Sequence, residues 1–169
     1  MIIKNGEDGP AVEYTDGEKR WYLNGKRHRE DGSAIEFSNG NKIWYLNDKL
    51  HREDGPAVEY KNGYKAWWLN NKLHRKNGPA IEYAFGEKQW YLNGKKHRED
   101  GPAVEFSNGN KWWFLNNRLY KMQINNKIVE RDKNFECETC ISEIVCDYDC
   151  QKDIMWKEYN ERYTKNESK

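Results

Sequence analysis

The chain lacks three things that would point to a common function class. It has no long apolar run, no excess of charge of either sign, and no cysteine before position 137. Without an apolar run of membrane-spanning length, no transmembrane helix is expected. With 29 basic against 28 acidic residues, the net charge of +1 creates no global field that would hold the chain on nucleic acid or an anionic membrane. The start Met1-Ile2-Ile3-Lys4 carries no secretory leader, so a cytoplasmic location is expected. Gly-rich phosphate loops and nucleophile-elbow motifs are missing too, which removes the usual sequence marks of an enzyme.

Apolar content is also low. Mean hydropathy is −1.22 and 34% of residues are charged, a balance typical of disordered chains. Disordered chains are poor in aromatics, however, and this one has eight Trp, eleven Tyr and five Phe. A thin structure with much surface and an aromatic interior reconciles the two facts. Heavy use of Asn and Lys points to an AT-rich genome.

The dominant feature is a 23-residue period. It sets the spacing of His28, His51, His74 and His97, and of Trp21, Trp44, Trp67, Trp90 and Trp113. Lys19, Lys42, Lys65, Lys88 and Lys111 follow it, as do Leu23, Leu46, Leu69, Leu92 and Leu115. Five ungapped copies run from Asn5, and a sixth start at Tyr120 decays within a few residues. Each copy predicts two short strands, 11–14 and 19–23 in the first, with no room for a helix between turn residues. The expected fold is an all-β repeat protein: an elongated stack of antiparallel β-hairpins over 1–120, then a cysteine-bearing, partly helical C-terminal cap over 121–169.

Asp16-Gly17, Asn39-Gly40, Asn62-Gly63 and Asn108-Gly109 predict two-residue type I′ turns, while Phe85-Gly86 breaks the rule and predicts a different fourth turn. Second turns fall at Asn24-Gly25, Asn47-Asp48, Asn70-Asn71, Asn93-Gly94 and Asn116-Asn117. A two-residue loop places Tyr14 opposite Lys19 and Val12 opposite Trp21. Strand alternation then puts Val12, Tyr14, Lys19, Trp21 and Leu23 on the core face, the Lys stem over the Tyr ring, and Ala11, Glu13, Arg20 and Tyr22 on the other.

The run Asn24-Gly25-Lys26-Arg27-His28 and the turn pattern on a 23-residue period resemble MORN repeats, especially divergent MORN-like arrays of bacterial and large-virus proteins. The resemblance covers about residues 5–120. It departs in detail, with Trp-Tyr-Leu for the family's Tyr-x-Gly and His-Arg-Glu-Asp-Gly-Pro for His-Gly-x-Gly. It implies a twisted hairpin stack with an open groove, and scaffolding, dimerisation or membrane association.

Candidate functional residues follow from the pattern. Four histidines suggest a metal, but equivalent positions lie two strands, about 10 Å, apart, whereas zinc needs nitrogens about 2 Å from one ion. A structural bond from each imidazole to a loop carbonyl is expected instead. The Arg-Glu-Asp triplets at 29–31, 52–54 and 98–100 repeat too evenly for catalysis, which needs one unequal constellation, and predict charge ladders between neighbouring hairpins.

An aromatic row, Tyr22, Tyr45, Trp68, Tyr91 and Phe114, lies beside the most varied position, occupied by Arg20, Ile43, Ala66, Gln89 and Trp112. Variation in a stack that otherwise repeats marks either a recognition strip for a protein partner or plain exposure, with the aromatics packed under loops. The strip reading selects Arg20, Tyr22, Ile43, Tyr45, Trp68, Gln89, Tyr91, Trp112 and Phe114. Single-stranded nucleic acid could stack on such rings, but Glu13, Glu36, Glu59, Glu82 and Glu105 oppose it.

In the tail, Cys137, Cys140, Cys146 and Cys150 form C-x2-C-x5-C-x3-C. They suit a structural zinc; the other reading is an amphipathic capping helix with free thiols, its apolar residues near helical spacing from Ile141 to Tyr163. Together these features predict a non-catalytic protein-binding scaffold, one form of which is a viral or phage inhibitor of a host-defence enzyme. The alternatives are a peripheral lipid-binding scaffold and a single-strand nucleic-acid binder. An uncapped N-terminal sheet edge adds the prospect of a homodimer.

Overall fold

The structure, a computed structural model, describes residues 2–3, 11–130 and Lys157. Apart from the helical backbone of Lys157, regular structure among them is entirely β, in an elongated stack of hairpins. One thirteen-stranded antiparallel meander forms the spine, and four separate two-stranded hairpins project from it. Most strands are only two residues long.

Each copy of the repeat visits both layers. In the second copy Ile35–Glu36 and Lys42–Ile43 lie in the spine, then Tyr45–Leu46 and Lys49–Leu50 form the side hairpin. The chain returns to the spine at Val58–Glu59, beside Lys42–Ile43. The tryptophan joins the layers: the Trp44 N–H donates to the Ala57 carbonyl at 2.8 Å, and Trp44's own carbonyl accepts from His51 N–H at 3.3 Å. Ala34, Ala57, Ala80 and Ala103 sit at these joints with no exposed surface, which explains why only a small side chain occurs there.

Turn chemistry fixes the register, and it differs from the sequence expectation. Gly17 N–H donates to Tyr14 O at 3.0 Å and Tyr14 N–H to Glu18 O at 2.9 Å. The loop therefore has three residues, a type I turn ending in Gly17 at φ 91°. Asp16 keeps an ordinary φ, and its carboxylate accepts the Glu18 N–H at 3.1 Å. Asn39, Asn62 and Asn108 repeat that bond. Since this position needs no positive φ, Phe85 fits, and the fourth turn matches the others, with Gly86 at φ 95°. The type I′ geometry belongs to the second turns: Asn47 and Asp48, for example, have φ 50° and 62°.

The extra loop residue moves the pairing by one position. Val12 lies opposite Arg20 and Glu13 opposite Lys19, not Val12 opposite Trp21 and Tyr14 opposite Lys19. A one-residue slip turns every side chain of a strand to the other face. The inner face thus carries the Val12, Tyr14, Arg20 and Tyr22 positions. Lys19, Trp21 and Leu23, expected in the core, belong with Glu13 on the outer face, and Leu23 is 49% exposed. Along the spine the outer row alternates Glu13, Lys19, Glu36, Lys42, Glu59 and Lys65, each opposite its neighbour. Opposite charges paired across strands stabilise a sheet modestly, by about 0.2–1 kcal/mol a pair.

The inner row is the core. Val58, Ala66 and Ile81 form its middle, with Ile43, Leu50, Tyr64, Trp68, Leu73, Tyr83 and Tyr91 packed on them. The spine continues beyond residue 120, through Arg118–Ile124 and Lys127–Glu130. These longer strands build a second cluster around Trp112, Phe114, Met122 and Val129. Of the expected cap over 121–169, residues 121–130 are in these strands and the turn between them; the rest, with all four cysteines, lies outside the described residues apart from Lys157.

Candidate functional site

The inner row decides the fate of the varied strip. Its members do share a face with the aromatic row: the Tyr91 hydroxyl donates to Gln89 Oε1 at 3.0 Å, and the Arg20 side chain pairs with Glu18 beside Tyr14. That face is the core, however. Ala66 and Phe114 are fully buried, Trp112 is 9% exposed, and Ile43, Tyr45, Trp68, Gln89 and Tyr91 are half-buried. Only Tyr22 among these aromatics reaches 36% exposure. In the third copy the smallest residue of the strip, Ala66, adjoins the largest aromatic of the row, Trp68.

The histidines and triplets are bound into the framework. Nδ1 of His28 lies 3.0 Å from Asn47 Oδ1 and accepts the Asn47 N–H at 3.3 Å, so the partner is the second-turn asparagine of its own copy, not a loop carbonyl. His51, His74 and His97 do the same with Asn70, Asn93 and Asn116. Among the described residues no group of three or more His, Cys, Asp or Glu is placed to hold a metal ion. Arg52 stacks on Trp44, donates Nε to Asp54 at 2.9 Å and Nη1 to the Pro56 carbonyl at 3.2 Å. The triplet's ion pairs and carbonyl bond thus act within a copy and its stacking reaches the preceding copy's tryptophan, in place of the expected charge ladders between neighbouring hairpins. Among the described residues no helix is long and apolar enough to cross a membrane.

A different site emerges where the copies stop being alike. The first turns of the third and fourth repeats stand side by side, close enough that a Cβ on Gly63 would lie 3.7 Å from Ala84 Cβ. Tyr60, Tyr64, Tyr83 and Phe85 rise around them. Tyr60 and Tyr64 have ring centroids 5.3 Å apart, Tyr64 and Tyr83 meet edge-on at 5.4 Å, and Tyr83 and Phe85 stack at 5.1 Å. With Asn62 and Ala84 they line a shallow depression of about 240 Å³. Tyr60 is 37% exposed and Phe85 62%.

Two of these rings come with a local signal. Where Phe85 stands, the other copies have Asp16, Asn39, Asn62 and Asn108, and where Tyr64 stands they have Glu18, Asn41, Glu87 and Asn110. Tyr83 occupies a constant aromatic position but is drawn into the patch by Phe85. Burial raises the Tyr64 and Tyr83 hydroxyls above the ordinary phenol range, so both stay protonated donors at neutral pH. Phe85 was visible in the sequence as a broken turn rule, but only the register shows that Tyr64 stands beside it.

No protein-family model matches the chain. Comparison with curated proteins finds no relative either. The likeness to MORN-type arrays therefore rests on the period and turn pattern alone.

Proposed function

We propose that the protein is a non-catalytic scaffold whose repeat array presents the Tyr60–Tyr64–Tyr83–Phe85 patch to a protein partner. The observation that carries this reading is Phe85. A large apolar ring, 62% exposed, replaces the polar residue that satisfies the Glu18, Asn41, Tyr64 and Asn110 amides in the other turns. In the exchange the fourth turn gives up that acceptor for a stack on Tyr83 that leaves most of the ring in solvent. Exposed aromatic side chains gathered in one place, with charged groups excluded, make up the energetic centre of many protein interfaces. Masking the surface of another protein, a host-defence enzyme for instance, is one use of such a patch.

Affinity capture from the natural host's lysate tests it, comparing the wild-type chain with Phe85→Asn and Tyr64→Asn. These substitutions restore residues that other copies carry. A stoichiometric partner lost from both variants is expected; one retained by both would move the interface elsewhere.

A further inference from the structure

Much of the backbone beneath the patch is already hydrogen-bonded within or between its turns. Tyr60 N–H donates to Tyr64 O, Gly63 N–H to Tyr60 O, Tyr64 N–H to Asn62 Oδ1 and Lys61 N–H to Asn41 Oδ1. Tyr83 N–H and Gly86 N–H are likewise engaged within the fourth turn. A partner cannot add a β-strand here, because strand addition needs a row of open main-chain groups.

What the site does offer is rings and phenols. Its lining residues carry no charge. The Lys61 side chain runs back toward the neighbouring turn, its Cδ 3.5 Å from where a Gly40 Cβ would stand. The hydroxyls of Tyr60, Tyr64 and Tyr83 donate to no protein group among the described residues, while burial keeps those of Tyr64 and Tyr83 protonated. The depression of about 240 Å³ is smaller than the roughly 300–1,000 Å³ of small-molecule pockets. Asn62 and Ala84 complete its lining, and its walls are the Tyr60–Tyr64 and Tyr83–Phe85 ring pairs.

Resting on the proposed protein-binding role, we infer that the occupant is a proline-rich segment in the polyproline II conformation. Such a segment is already extended, so binding costs it little entropy. Its carbonyls carry no internal hydrogen bonds and accept from phenol hydroxyls. Its pyrrolidine rings pack on aromatic walls, the mode used wherever aromatic-lined grooves recognise proline-rich segments. Stacked nucleobases would want a positive groove, and none lines this site.

The test is fluorescence anisotropy of the full chain with three labelled probes: decaproline, a Gly-Ser peptide of equal length, and an oligothymidine of equal length. Decaproline should bind saturably, about tenfold or more weaker to Phe85→Asn, with no response from the Gly-Ser peptide. Circular dichroism confirms that the variant folds, and Tyr64→Asn supplies a second reading if it does not. No saturable decaproline binding, equal binding by wild type and both variants, or preference for oligothymidine overturns the inference. If a captured protein is lost from Phe85→Asn while decaproline fails to bind, the protein-binding role stands and only the polyproline inference falls. If the variants keep both, the two fall together.

Discussion

The guanidinium carbon of Arg52 sits 4.1 Å above the ring centroid of Trp44, and the pairing recurs at Arg29–Trp21, Arg75–Trp67 and Arg98–Trp90. It clamps the loop between side hairpin and spine, because Arg52 also reaches Asp54 and the Pro56 carbonyl. Arg52→Ala removes the cation–π contact, two hydrogen bonds and the packing of the stem. A loss of about 2 kcal/mol is expected in urea unfolding of the full chain. Arg52→Lys should recover less than half, since an ammonium lacks the planar fork. Full recovery by Lys would reduce the clamp to simple charge.

Gly55 serves that clamp. A Cβ there would lie 2.7 Å from Arg52 Cζ, so Gly55→Ala must push the guanidinium off its indole. The expected cost is about 1–2 kcal/mol in the wild-type background and near zero in Arg52→Ala, where nothing stands in the way. An undiminished cost in the double variant would place the strain in the backbone instead.

Acid should weaken the clamps in a defined window. Hydrogen bonds from Arg52 and Arg98 hold the Asp54 and Asp100 carboxyls below their ordinary value of 3.8. A depressed value in the folded state gives stability that is fully present above the unfolded value and is lost as pH falls through the folded one. Thermal melts should therefore be unaffected by these groups at neutral pH and fall more steeply below about pH 4 in wild type than in Asp54→Asn/Asp100→Asn. The fourth copy already has Asn77 in this place, so Asn77→Asp should add to the acid sensitivity. Identical acid profiles for all three proteins would refute the assignment.

How far the sequence revealed this structure depended on one loop residue. The period and the stack were legible because the same letters recur every 23 residues, but the side hairpin was not: the expected strand 19–23 divides into Lys19–Arg20 in the spine and Tyr22–Leu23, which pairs with Lys26–Arg27. The face assignments were not. Asp16-Gly17 suits a two-residue type I′ loop and equally a three-residue loop ending in Gly, and the choice sets whether Lys19 or Arg20 points inward. With the faces exchanged, variation at Arg20, Ile43, Ala66, Gln89 and Trp112 resembled freedom from packing, although the position faces inward, where Ala66 and Trp112 are buried. The real departures, Phe85 and Tyr64, lie 21 residues apart, and only the side-by-side turns join them.

Ala66 separates the two accounts of the varied strip most sharply. It is fully buried against Val58 and Ile81 in the spine. Ala66→Arg brings the residue of the first copy into the third and forces a charged side chain into a filled space. Overpacking alone costs about 1–3 kcal/mol, and an unpaired buried charge adds to it. A large fall in the urea midpoint is expected, against a small effect for Arg20→Ala at the open end of the row. Unchanged stability of Ala66→Arg would return the strip to the surface and revive it as a recognition face.

Phe85→Asn offers the opposite sign. Asn at that place in the other turns accepts the amide two residues on, as Asn62 does from Tyr64 at 2.9 Å. In the fourth turn the Glu87 N–H would gain that acceptor, and a 62%-exposed ring would be removed from solvent. The substitution should leave the fold intact and raise its stability by about 0.5–1 kcal/mol in urea unfolding. A residue kept for packing behaves otherwise, since its loss destabilises. Stability gained together with a partner lost would mark Phe85 as a group held at the expense of the fold for what it touches outside it. Destabilisation by more than about 1 kcal/mol would instead make Phe85 a prop for the Tyr83 ring, and the patch a feature of packing.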